Sequence, residues 1–148
     1  MDNKTIAAVA TPNAPGGIGI VRISGENAIQ IASKIFKPVS GKNITESKGY
    51  QAYFGDVYDD NEKIDEAVCL VFRAPRSYTG EDTAEISCHG GLYVTKRVLR
   101  AALNAGATPA EAGEFTKRAF LNGKIDLAAA ESVWHSSVHR ANRLQQPH

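Results

Sequence analysis

The sequence has almost no excess charge of either sign. Lys and Arg number 17 against 16 Asp and Glu, a formal net charge of +1. That balance excludes a broad electrostatic attraction to nucleic acid or to a membrane, so any RNA contact would have to be local. Cysteine is scarce too. Cys69 and Cys88 form no CxxC pair and sit in apolar or alternating runs, so they read as small buried hydrophobes in a reducing compartment. No apolar run approaches the length of a membrane span. The start, Met1-Asp2-Asn3-Lys4, lacks the charged opening and apolar stretch of a signal peptide, and a cytoplasmic location is expected. There is no GxxxxGK[ST], hence no P-loop, and no GxGxxG between a strand and a helix. There is no HExxH and no Cys/His cluster at metal spacing. Internal repeats and low-complexity segments are also missing.

What remains is ordinary globular material. The 148 residues, 43% hydrophobic and 22% charged, suffice for one domain with a real core. Residues 5–10 (TIAAVA) read as a short buried strand. Thr11 to Gly17 carries two prolines and two glycines and reads as a loop. Ile18 to Ser24 is then a strand with Ile18, Ile20 and Arg22 on one face. Ser24 is placed to cap a helix over about Glu26 to Phe36, whose Ala28, Ile31, Ala32, Ile35 and Phe36 form one buried stripe. Residues 37–50 read as loop. Gln51 to Tyr58 and Ile64 to Phe72 read as a hairpin across Asp59-Asp60-Asn61-Glu62-Lys63. Its second arm, AVCLVF, has the continuous apolar character of a strand buried on both faces.

Arg73 to Gly80 reads as a loop. Thr83 to His89 alternates, with Ala84, Ile86 and Cys88 on one face and Thr83, Glu85, Ser87 and His89 on the other. Gly90-Gly91 leads into a helix to about Ala105, with Leu92, Thr95, Val98, Leu99, Ala102 and Leu103 packed and Gly106 closing it. Thr108-Pro109-Ala110-Glu111 mimics a capping box, but Gly113 follows at once, so an edge strand or loop is expected. Glu114 to Leu121 is a short helix stopped by Asn122-Gly123, and Asp126 can cap a last helix beginning LAAAESV. This order of elements predicts a mixed α+β fold rather than a doubly wound parallel sheet.

Few residues suggest chemistry. Pro15-Gly16-Gly17-Ile18-Gly19 enters a strand and so lacks the helix N-terminus of a phosphate site. Cys88 and His89 are strand neighbours pointing to opposite faces, an arrangement that disfavours a thiol–base pair. Arg22 and Glu85 are each mid-strand, and Lys124 follows the Asn-Gly stop. By pattern alone Arg22 and Glu85 are a cross-strand ion pair or solvated charges, and Lys124 a solvated end. His89, ahead of Gly90-Gly91, could line a pocket, cap the next helix or end a strand.

Longer strings carry more. DNKTIAAVATPNAPGGIGIVRISG, FRAPRSYTGEDTAEISCHGG and AGEFTKRAFLNGKIDLAAAESV resemble, in order, the start of the tRNA modification GTPases of the MnmE (TrmE) type, from about Thr5 to Val133. The resemblance implies an N-terminal module that is similar in fold to the folate-binding domain of aminomethyltransferases. It implies binding of 5-formyl-tetrahydrofolate and a constitutive homodimer with the folate near its interface. It also implies a role in modifying C5 of the wobble uridine of certain tRNAs, together with a flavin- and NADH-dependent partner protein. Matched residue by residue, Arg22 of the RISG block, Glu85 of the strand after TGED and Lys124 of RAFLNGK stand where the family contacts folate. A carboxylate can accept two parallel N–H bonds from a pterin, and Arg can meet a carboxylate or carbonyl with its fork.

The family's P-loop and C-terminal cysteine motif are absent from this sequence, so the resemblance implies that GTP, Mg and K are bound in a GTPase domain outside it, and no catalytic residue is expected here. After Val133 the sequence reads WHSSVHRANRLQQPH, where the family continues with a long amphipathic helix. Residues 1–121 are therefore expected to form the folate-binding and dimerisation domain. Residues 122–148 would open a helical domain, cut short in a fragment or a truncated gene. The competing readings are a dimerisation domain without ligand and a stand-alone aminomethyltransferase-like enzyme.

Overall fold

The computed structural model describes residues 4–11 and 17–132. The prolines and first glycine of the Thr11–Gly17 loop, and everything after Ser132, lie outside the described residues.

One seven-stranded sheet organises the chain. Its strands are β1 (Ile6–Val9), β2 (Gly19–Ser24), β3 (Phe36–Pro38), β4 (Gln51–Asp59), β5 (Glu62–Phe72), β6 (Thr83–Cys88) and β7 (Thr108–Pro109). Their order is β3-β4-β5-β6-β2-β1-β7, antiparallel except where β7 joins β1 in parallel. Both edge strands are two or three residues long and contain proline, which blunts edge-to-edge pairing. The helices are α1 (Ala28–Ile35), α2 (Gly91–Asn104) and α3 (Glu114–Leu121), with a 3₁₀ turn at Ile44–Glu46. Residues 127–132 begin another helix. Asp126 caps it, its Oδ1 accepting from Ala129 N at 2.7 Å. The α+β class expected from the order of elements holds.

The hairpin is tighter than its spacing suggested. β4 and β5 turn through Asp60 and Asn61, both with positive φ (52° and 72°), as a two-residue loop matched to strand twist requires. Gly55 sits mid-strand because a Cβ there would lie 2.2 Å from the Lys37 carbonyl oxygen on β3.

One face of the sheet carries the core. Val21, Ile23, Val57, Ala67, Cys69, Val71, Ala84, Ile86 and Cys88 are all fully buried and meet α1 and α2. The AVCLVF run is corrected by this. Ala67, Cys69 and Val71 are sealed, but Val68, Leu70 and Phe72 are only half-buried, because helices cover just one side of β5 there. The α1 stripe is as expected, with Phe36 buried as the first residue of β3. Ser24 is not the cap. It ends β2, fully buried, and its hydroxyl bonds Thr79 and Glu81 instead, while Asn27 occupies the cap position. On α2, Leu92 is exposed and does not join the packed stripe, whose sealed positions are Thr95, Val98, Ala101 and Ala102. Gly106 closes that helix at φ 125°, and Thr108–Pro109 is the expected edge strand.

The opposite face is covered only in part. The loop from Arg73 to Asp82 folds over its β2–β6 end. Arg73 anchors the loop, donating to the carbonyls of Ser47 (2.9 Å) and Thr45 (2.6 Å) and to Asp82 (3.2 Å). α3 then lies against this loop.

Candidate functional site

β2 and β6 are neighbours in register, with Arg22 directly opposite Glu85. Both side chains therefore project from the partly covered face. Arg22 Nε donates to Glu85 Oε2 at 2.7 Å, with side-chain exposures of 22% and 17%. The cross-strand ion pair that the pattern allowed is thus present. It is single-pronged: among the described residues, neither terminal nitrogen of Arg22 and neither lone pair of Glu85 Oε1 has a hydrogen-bond partner. A half-buried guanidinium–carboxylate pair with unused donors and an unused acceptor can take a ligand bearing the complementary set.

Two rings complete the surroundings. The Arg22 guanidinium carbon lies 5.1 Å from the centroid of Tyr78, in the loop, and 5.2 Å from that of Phe115, in the first turn of α3. Loop and helix are joined by polar contacts. Tyr78 OH bonds Thr116 Oγ1 at 2.9 Å. Asn122 Nδ2 donates to the Thr79 carbonyl at 2.8 Å. Arg118, 8% exposed, donates from Nη1 to both oxygens of Glu81 at 3.1 Å and from Nη2 to Glu114 and the Lys4 carbonyl. Beneath them, the hydroxyls of Ser24, Thr79 and Thr83 form a buried cluster with Glu81.

Lys124 is placed differently. It is exposed in the turn after α3, its backbone N–H bonding the Ala119 carbonyl at 2.8 Å. Among the described residues its side chain meets neither Arg22 nor Glu85. It lies two residues beyond the Asn122 tether, on the turn that follows the helix bearing Phe115. Tyr78, Glu81, Phe115 and Arg118 were not singled out from the sequence, although all lie within the matching blocks.

Other candidates are weaker. Cys88 is fully buried, and burial pushes its thiol up to about 12; Cys69 is shifted likewise by burial. Neither is a nucleophile at neutral pH. His89 is exposed, its N–H held by Asp65 Oδ2 at 2.7 Å and its Nδ1 3.4 Å from the Glu66 carbonyl oxygen. It follows the last residue of β6 and lines an open groove of about 580 Å³ with Phe54, Lys63, Ile64, Asp65 and Glu66, so two of the roles expected of it are met. The described residues contain no group of three or more His, Cys, Asp or Glu that could hold a metal, and no helix long and apolar enough to cross a membrane. A large groove of about 880 Å³ lies elsewhere, between α1, α2 and the hairpin tip. Its arginines are already neutralised: Asp59 takes Arg100 at 2.7 Å and Arg97 at 3.3 Å, and Glu62 takes Arg97. Arg100 beside Asp59 holds that carboxyl below the usual range. The Arg22–Glu85 locus is the better candidate because, among the described residues, its polar groups are not used up internally.

Comparison with known proteins agrees with the motif blocks. Residues 5–124 match the family described as "GTP-binding protein TrmE N-terminus". The tRNA modification GTPase MnmE of Lachnoclostridium phytofermentans is 52% identical over 145 residues, 97% of this chain and 31% of that protein. The MnmE of Moorella thermoacetica is 50% identical over the same shares, and that of Flavobacterium psychrophilum is 48% identical over 88% of the chain and 28% of the relative. Coverage of 97% carries the likeness past Val133, where the motif blocks end. The chain spans about three-tenths of the length of these relatives. The chain belongs to the family of TrmE (MnmE) N-terminal domains of tRNA modification GTPases.

Proposed function

We propose that this chain is the module through which a tRNA modification GTPase binds 5-formyl-tetrahydrofolate and pairs with a second copy of itself. The Arg22–Glu85 pair carries the reading. It stands on a half-open sheet face, beside two aromatic rings, with an acceptor and several donors unused among the described residues. A reduced pterin presents adjacent ring and amino N–H groups to a carboxylate, and folate ends in carboxylates that a guanidinium or Lys124 can meet. The residues present fit such a group. In the proposed complex, Glu85 orients the pterin, Arg22 donates to its carbonyl or acid oxygens, and Lys124 supplies a point charge from the turn after α3. Folate would contribute the one-carbon unit, and these side chains would bind and orient it. The aminomethyltransferase-like fold of the domain belongs to the same proposal.

Pairing is supported by apolar side chains left on the surface. Phe54 is 51% exposed on the same open face that carries half-buried Ile20, Val68 and Leu70, and Ile18, just before β2, and Leu92 and Tyr93, in the first turn of α2, are exposed. Patches of this kind mark association surfaces. For the whole protein the proposal extends to wobble-uridine modification in the cytoplasm with a flavin- and NADH-dependent partner. GTP, Mg and K would act in a GTPase domain beyond this segment. Residues 1–121 would form the folate and dimer domain, and residues from 122 the start of a helical one.

One observation favours a second reading, a dimerisation domain without ligand. Arg22 and Glu85 already pair at 2.7 Å, as a purely structural pair would. Titration calorimetry with 5-formyl-tetrahydrofolate separates the two. Saturable binding, weakened at least tenfold by Glu85→Ala, supports the folate reading. A well-folded dimer that takes up no folate refutes it.

A further inference from the structure

We propose that Tyr78 and Phe115 are positioning residues of this site, their rings fixing the Arg22 guanidinium so that the N–H groups not facing Glu85 are preset for an anionic or carbonyl oxygen of a heterocyclic ligand. The inference rests on the folate reading for the ligand, but its geometry stands without it.

Among the described residues Arg22 has one polar tether, the Nε contact to Glu85. A guanidinium held at Nε alone can still swing about its side-chain torsions, and ordering it would cost binding energy each time a ligand arrived. The rings at 5.1 and 5.2 Å remove that freedom. A cation over an aromatic face is held electrostatically without consuming its in-plane N–H donors. Stacking therefore fixes the group and leaves its fork available, which another carboxylate could not do. The rings are themselves fixed. Tyr78 OH is tied to Thr116, the loop behind it is clamped by Asn122 and by the Arg118–Glu81 contacts, and Phe115 belongs to the helix that supplies Thr116 and Arg118. The buried Arg118 network thereby gains a purpose that its stability alone does not explain. It holds loop and helix at the separation that puts both rings beside one guanidinium.

The test uses Tyr78→Leu, Phe115→Leu and Tyr78→Phe in the full chain, each alone and with Arg22→Gln. Thermal melts confirm that each variant folds. Titration with 5-formyl-tetrahydrofolate should show about fivefold weaker binding for each leucine variant, the equivalent of about 1 kcal/mol. Tyr78→Phe, which keeps the ring, should stay within about twofold of the parent. With Arg22→Gln present, the leucine substitutions should add nothing, because they act through Arg22. A second readout needs no ligand: the Arg22 Nε–Hε signal in ¹⁵N-edited NMR should be ring-current shifted and should move towards the free-arginine position in both leucine variants. Folate binding that the leucine variants leave intact, or weaken equally without Arg22, overturns the inference. A chain that binds no folate yet shows the shifted Arg22 signal overturns the folate reading and upholds the clamp.

Discussion

Replacing Arg118 by Met tests how α3 is fastened to the sheet. Arg118 is 8% exposed, and its two terminal nitrogens reach both oxygens of Glu81, one of Glu114 and the Lys4 carbonyl at 2.8 to 3.1 Å. Methionine has nearly the length to fill the space but makes none of these bonds. Removing one partner of a fully buried pair typically costs about 3–5 kcal/mol, because the other charge stays behind unpaired. Here Glu81 and Glu114 are 25% and 22% exposed, and Glu81 keeps the Ser24 hydroxyl at 2.9 Å, so water and Ser24 recover part of that loss. The expected cost is about 2–3 kcal/mol, or a fall in Tm of roughly 5–10 °C for a chain of this length. Urea unfolding should show a lower midpoint at unchanged slope. Arg118→Lys, which keeps the charge but not the fork, should lose about half as much. Exposed Lys117→Met on the same helix should stay within about 0.5 kcal/mol of the parent. The double variant Arg118→Met with Glu81→Gln should cost less than the sum of its parts, since it leaves no naked carboxylate at position 81. If Arg118→Met melts with the parent, the network does not fasten α3 and the reasoning fails.

Gly55→Ala should destabilise by about 2 kcal/mol or detach β3, because the new methyl would meet backbone, the Lys37 carbonyl, and not a side chain that can rotate away; chemical unfolding measures the first and amide exchange along Phe36–Pro38 the second. Asp59 has its pKa lowered, first by the Arg100 hydrogen bond. Its ionised form is thus favoured by the fold, so its contribution is complete above the ordinary carboxylate value of 3.8 and is lost as pH falls through the lower folded value. Asp59→Asn should flatten the acid limb of a stability–pH profile without altering its neutral shape. Cys69 and Cys88, pushed up to about 12 by burial, should ignore a thiol reagent at pH 8 in the folded chain and react fully in urea; fast reaction of the folded chain would contradict their burial.

Much of the fold was legible because its signals are local. Alternation marked β6, the i, i+3, i+4 stripe marked α1, and Gly106, Asn122-Gly123 and Asp126 punctuated the helices where backbone geometry demands it. The errors arose where a residue's role depends on distant partners. Ser24 has the chemistry of a helix cap, but Thr79 and Glu81 claim its hydroxyl from 55 and 57 residues away. The AVCLVF run looks buried on both sides, yet which side is covered depends on where the helices pack. Edge strand β3, which falls where a helix end and a loop were expected, is too short for any periodicity to show.

The site was legible in a different way. Spacing alone left Arg22 and Glu85 as a possible ion pair, and that pair forms; the motif blocks marked the same two residues as a ligand site. The two readings are compatible on physical grounds. A guanidinium and a carboxylate on a half-buried sheet face would each be costly to leave unpaired in the free protein. A single Nε contact limits that cost while leaving the donors and the acceptor that a ligand needs. No sequence pattern could have added Tyr78 and Phe115, since they approach Arg22 from a loop and a helix separated by 37 residues in the chain. What the structure adds is that α3 turns Thr116, Arg118 and Ala119 inward in place of large apolar side chains. A short helix that buries an arginine is fastened by polar contacts, and polar contacts fix distances more sharply than apolar packing does. That is the kind of fastening needed where two rings must be kept beside one guanidinium.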